Sequence, residues 1–163
     1  MNGLRRTTLW ALLATVVLAT GCATPNRQAQ ANTAFWAGRV GLQIQSQPPQ
    51  SLSAAFELQG SADHGELLLL SPVGSTLAQL NWTPQAAELI QGGRHWTSSN
   101  LDELTTQLAG TPLPLSALFD WLSGQATTPS GWQVDLSQWM QGRIQAERQS
   151  PAPTVQLKLL LDR

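Results

Sequence analysis

Apolar and polar residues alternate with a period of two along much of this chain. Trp36, Val40, Leu42 and Ile44 share one parity, and Arg39, Gln43 and Gln45 share the other. After Gln47-Pro48-Pro49 the same beat resumes. Leu52, Ala54, Phe56 and Leu58 alternate with Ser51, Ser53, Glu57 and Gln59. A period of two puts one set of side chains on each face of a strand, so both segments are expected to be strands with one apolar and one wet face. Gly60 to Gly65 reads as a hairpin loop, Leu67 to Leu70 is apolar throughout, and Ser75 to Trp82 reads as another strand. Ala87–Ile90 and Arg94–Thr97 flank Gln91-Gly92-Gly93, a tight hairpin signal. Short links between successive strands predict an antiparallel sheet.

The period then lengthens. Leu101, Leu104 and Leu108 form a helical stripe, with Asn100 as N-cap, Glu103 as its capping-box partner and Gly110 as the stop. Pro112-Leu113-Pro114 breaks the chain. Leu115, Leu118, Phe119 and Leu122 mark a second short amphipathic helix that ends at Ser123-Gly124. Alternation returns at Trp132, Val134 and Leu136, at Ile144 and Ala146, and from Val155 to Leu161. The expected fold is mainly β with short helices: about nine strands in a curved antiparallel sheet, with the helices against its concave side.

The N-terminus follows a different rule. Arg5 and Arg6 precede an uncharged apolar stretch from Leu9 to Thr20. That stretch is shorter than the ~20 residues a bilayer-spanning helix needs, and it fits a secretory signal peptide. Leu18-Ala19-Thr20-Gly21-Cys22 resembles the lipobox of bacterial lipoproteins. Gly21 supplies the small residue before the cut and Cys22 the thiol that takes diacylglycerol; Ala19 departs from the leucine usual there. The expected organisation is a signal peptide over 1–21, a lipidated tether over 22–34 and one domain over 35–163. Cys22 is the sole cysteine, so no intrachain disulfide can form, and its place at the cut fits lipid better than redox chemistry. The alternative is an ordinary cysteine of a plain secreted protein. In lipoproteins of the resembling type, aspartate after the cysteine favours retention in the inner membrane. Ala23 therefore implies lipid anchoring at the periplasmic face of the outer membrane.

Charge narrows the partners. Losing Arg5 and Arg6 takes the formal net charge from -1 to -3. Lys158 is the only lysine, so nucleic-acid binding by phosphate neutralisation is not expected. Six of the seven tryptophans lie beyond the signal peptide, and there is no tyrosine. Tryptophan brings large apolar area with one polar edge, which suits cavities and membrane interfaces.

Two segments carry a family resemblance. One is Leu68-Leu69-Leu70-Ser71-Pro72-Val73-Gly74-Ser75-Thr76. The other is Leu108-Ala109-Gly110-Thr111-Pro112-Leu113-Pro114-Leu115, trailed by Leu118, Trp121, Leu122 and Gly124. With the lipobox, these resemble the LolB family of outer-membrane lipoproteins, whose members receive other lipoproteins and insert them. The resemblance implies an unclosed β-barrel with a hydrophobic interior and a helical lid. It implies three partners: a LolA-like periplasmic carrier, acylated lipoprotein cargo and the outer membrane. It also implies a loop tip that touches the membrane. The family's leucine there corresponds to Val73, flanked by Pro72 and Gly74, and valine offers a smaller contact. Longer relatives continue beyond the Val155–Leu161 strand. Under this resemblance the acyl-chain cavity and lid draw on Trp36, Val40, Leu42, Phe56, Leu58, Leu68, Leu70, Leu115, Leu118, Phe119 and Leu122. Plain core packing explains each of these positions equally well, and an ordinary turn explains Ser71–Ser75.

Catalysis finds little support. His64 and His95 are the only histidines, and there is no HExxH, GxSxG or glycine-rich phosphate loop. Asp102, Glu103 and Asp120 read as helix-surface charges, and Asp135 and Glu147 have no evident partner. No enzyme activity, cofactor or metal is expected, and a monomer is. Two readings stay open: a lipoprotein receptor, or a lipid-anchored adaptor that holds a protein partner on the same sheet and helices.

Overall fold

A computed structural model describes residues 34–162. The signal peptide, Cys22 and nearly all of the tether lie outside the described residues. Six strands come first: β1 (Ala34–Ile44), β2 (Gln50–Gly60), β3 (Gly65–Leu70), β4 (Thr76–Trp82), β5 (Ala87–Gln91) and β6 (Arg94–Ser98). Two helices follow, α1 (Leu101–Ala109) and α2 (Leu115–Leu122). The chain then closes with β7 (Trp132–Asp135), β8 (Arg143–Arg148) and β9 (Val155–Leu161).

The described strands make one antiparallel sheet in the order β6-β5-β4-β3-β2-β1-β9-β8-β7. It is curved and unclosed, with β6 and β7 as its edges. Every neighbour pair but one is a local hairpin. The exception is β1 with β9, which joins the first strand to the last through Leu42↔Leu157 and Val40↔Leu159. The pairing stacks alternating residues of one parity over each other, so the inner face becomes continuous: Leu42 opposite Leu52, Trp36 opposite Leu58, Leu67 opposite Leu80.

The leucine run takes the phase opposite to the one expected. Leu68 and Leu70 were expected to face the interior, but Leu67 and Leu69 are the buried pair. Four consecutive leucines carry no alternation, so only register can set their phase. Leu67 lies opposite Leu58 and Leu69 opposite Phe56, both inward residues of β2. Leu68 and Leu70 therefore sit on the outer face, only partly covered.

α1 packs on β4, β5 and β6. Asn100 caps it by accepting from the Asp102 amide at 3.0 Å. The expected reciprocal half of the box is missing. Ser98 stands nearer, accepting from the Asn100 amide at 2.9 Å and donating to Glu103 at 2.7 Å. Gly110 ends α1 in the left-handed region, φ 77°, and its amide donates to the Thr106 carbonyl. Tryptophans pin the second helix. Phe119 meets Trp36 and Trp82 edge-on at 5.6 and 6.1 Å, and buried Trp121 donates to the Thr127 carbonyl at 2.7 Å. Trp139 donates to the Leu122 carbonyl at 3.1 Å. Trp82, Trp121 and Trp139 each bury area on the ring body and donate their one N–H to backbone carbonyls.

Candidate functional site

The sheet's inner face and the α1–α2 connection enclose a small chamber. Its free volume is about 40 Å³. The walls come from Val40 and Leu42 of β1, Leu52 and Phe56 of β2, Leu67 and Leu69 of β3, and Leu157 and Leu159 of β9. Its roof is Leu108 and Ala109 of α1, Leu113 and Pro114 of the connection, and Leu115 and Leu118 of α2. Every lining residue is apolar. The connection is tied back to α1, because Thr105 accepts from the Leu113 amide at 3.2 Å.

Five of the expected cavity residues line the chamber: Val40, Leu42, Phe56, Leu115 and Leu118. Leu58 and Leu122 are fully packed core, Phe119 is wedged between two tryptophans, and Trp36 is half-buried beside it. Leu52, Leu157 and Leu159 were visible as inward positions of their strands but not as cavity walls. No local pattern says that β9 lies beside β1. Leu113 and Pro114 were read only as a chain break.

A wider recess of about 250 Å³ adjoins the chamber and shares Leu42, Leu52, Leu108 and Ala109 with it. Gln50, Ser51, Gln107 and Gly110 supply its remaining, more polar rim together with Ile44. The chamber thus borders a half-polar mouth where α1 ends.

The β3–β4 loop is a compact turn. The Gly74 amide donates to the Ser71 carbonyl at 2.9 Å, the Ser71 amide to the Ser75 carbonyl at 2.8 Å, and the Ser75 amide to the Ser71 hydroxyl at 3.1 Å. Pro72 presets the first central position, and Gly74, at φ 84°, takes the left-handed place that follows. Val73 is left at the tip, 87% exposed. The loop invests three hydrogen bonds in holding an apolar side chain out in solvent.

The ionisable groups are arranged differently. His64 is exposed in a loop, and His95 is exposed beside Glu88 at 3.2 Å. The Ser137 hydroxyl and amide beside Asp135 hold its carboxyl below the ordinary carboxylate value. Among the described residues, no three His, Cys, Asp or Glu side chains are grouped to hold a metal ion. No described helix is long and apolar enough to cross a membrane.

Residues 35–163 match the family described as outer membrane lipoprotein LolB. That span is the whole sheet-and-helix domain. The chain belongs to the LolB family. It is similar to the outer-membrane lipoprotein LolB of Erwinia tasmaniensis, 35% identical over 88 residues, which is 53% of this chain and 42% of that protein. It is also similar to the LolB of Chromobacterium violaceum, 29% identical over 126 residues, 69% of this chain and 66% of that protein. In both comparisons the match spans less than two thirds of the relative's own length. Within this LolB-family chain, the apolar chamber and the exposed loop tip are the two features that simple core packing does not require.

Proposed function

We propose that this chain is an outer-membrane lipoprotein receptor, anchored through Cys22. It accepts acylated lipoproteins from a LolA-like periplasmic carrier and passes them to the inner leaflet of the outer membrane. The observation that carries this reading is the wholly apolar chamber between the sheet and the α1–α2 connection. At ~0.8 kcal/mol per buried methylene, one acyl chain of ~15 methylenes is worth on the order of 12 kcal/mol in water. Such a chain does not travel free and must be handed from one apolar site to the next. Hydrophobic burial has no direction, so one chamber serves cargoes with different protein parts.

The free volume is close to the share of one water molecule, ~30 Å³, while sites for drug-sized ligands run to ~300–1,000 Å³. The chamber is therefore collapsed on its own side chains, and cargo must lift the roof. The roof is suited to that: α1 and α2 are short, the connection between them is rich in proline, and few hydrogen bonds cross to the sheet. The lining side chains trade contacts with one another for contacts with the acyl chain. Release then needs a better apolar solvent, which the bilayer supplies. Val73 is the group placed to touch it.

A lipopeptide bearing a diazirine at the end of its acyl chain tests this reading. Crosslinks to Leu115, Leu118 and Leu157 are expected. Crosslinks confined to the outer face or the loops would instead support an adaptor.

A further inference from the structure

Arg148 ends β8 on the inner side of the sheet and is 7% exposed. Its Nη2 donates to the Thr111 hydroxyl at 2.8 Å. Its Nε has no partner. Among the described residues, no carboxylate lies within ion-pair distance of it, the one such pair being His95 with Glu88. The Trp132 ring, 5.7 Å from Cζ, offers partial cation–π compensation. A buried cation normally has an acid beside it and all its donors used. Arg148 has neither, and burial of acyl chains in the apolar chamber makes no use of it.

Its place in the fold gives it one. Thr111, itself 2% exposed, lies in the α1–α2 connection between Gly110 at the half-polar recess and Leu113 at the apolar chamber. The guanidinium thus holds the seam that parts when the roof lifts. We propose that Arg148 is the polar anchor for the ester carbonyl oxygens at the head of the cargo's acyl chains, and that the Thr111 hydroxyl occupies this place until cargo arrives. This rests on the receptor reading above.

The chemistry matches on both sides. A guanidinium supplies donors only, and an ester carbonyl is purely an acceptor. A second oxygen would also engage the idle Nε, which a single threonine hydroxyl does not. The lining of the chamber cannot set how deep a chain sits, because apolar contact has no preferred register. A donor fixed on Thr111, two residues before Leu113 of the chamber lining, does set it: the chains enter up to their ester heads and stop there. The protein part of the cargo stays outside.

The test uses the full chain in vesicles of diether phospholipid, so that the probe supplies the only esters besides those of the chain's own Cys22 lipid, which are the same in every sample. Two synthetic lipopeptides are compared, one with dipalmitoyl ester linkages and one with dihexadecyl ether linkages, each with a diazirine at the chain end. For the native chain, the ester probe is expected to crosslink within the chamber about tenfold more than the ether probe, the size of one hydrogen bond to a charged donor. In Arg148→Met the ratio falls to about one, while Arg148→Lys keeps part of it. The ratio is internal to each sample, so loss of folded protein lowers both signals alike. Thr111→Val, which empties the place-holder, raises the ester signal. A native ratio of one, or a ratio that survives Arg148→Met, overturns the anchor and leaves the receptor reading standing. No chamber crosslink from either probe refutes the receptor reading and the anchor with it. Repeating the comparison in diester phosphatidylcholine vesicles separates the sources of ester. An unchanged ratio assigns the anchor to cargo lipid, and a collapsed one assigns it to bilayer phospholipid and overturns the cargo assignment.

Discussion

Val73 is an apolar side chain held out at the tip of an otherwise ordinary turn. Pro72 and Gly74 are ordinary turn residues in ordinary places, and the three hydrogen bonds of the loop are all made by backbone or by Ser71. Nothing in the fold depends on the Val73 side chain, which is 87% exposed. Val73→Glu should therefore leave the thermal midpoint unchanged while abolishing cargo transfer to liposomes, because a charge resists entering the acyl region by ~2.5–3.5 kcal/mol or more. Normal liposome transfer by this variant would remove Val73 from the mechanism. Val73→Leu should transfer faster, since one further buried methylene adds about 0.8 kcal/mol of membrane contact. Arg148 is the opposite case. The alternation that exposes Val73 is blind to it, because an arginine at the end of a strand looks like a solvated residue until the chain folds over it.

At the scale of elements, strands with one wet face were the easiest to recognise. β1, β2 and β9 alternate so regularly that their inward residues follow from parity. β3 was not legible in the same way, since its four leucines fit either phase until β2 and β4 pair with it. The helices were legible in extent but not in every cap. Ser98 replaces the far half of the Asn100 capping box because it offers a nearer hydroxyl. Asn100→Ala should destabilise the start of α1 by about 1 kcal/mol. Hydrogen exchange should show lower protection in α1 with β1 and β2 unchanged, and equal loss across the sheet would mean that α1 is not a separately moving roof. The chamber itself was only half legible. Periodicity showed Val40, Leu42, Phe56, Leu115 and Leu118 as apolar-face positions, and only the family resemblance read them as cavity walls, while β9 enters through a pairing between residues more than a hundred positions apart, which no local pattern reports.

For the whole molecule, the proposed function asks a single sheet to perform two jobs that usually conflict. It must pack a core well enough to fold, and it must leave an apolar site able to accept a guest. Tryptophan contacts around Phe119 and Trp121 secure α2, while the chamber beneath Leu115 and Leu118 stays collapsed but unfilled by any polar group. Under the proposed function, stability and reception are thus divided between different parts of the same inner face. The proposed Cys22 lipid has a third task, keeping the domain at the membrane. Replacing that lipid with another membrane anchor should preserve much of the transfer activity, and complete loss would show that the native lipid takes part in the handover. The most direct test of the central claim is to mix the full chain, in liposomes, with a LolA-like carrier already loaded with an acylated lipoprotein, and to follow where the cargo goes. The cargo should leave the carrier and appear with this chain and its membrane, with no energy source added. Cargo that stays on the carrier, with this chain shown to be folded, would contradict the receptor account.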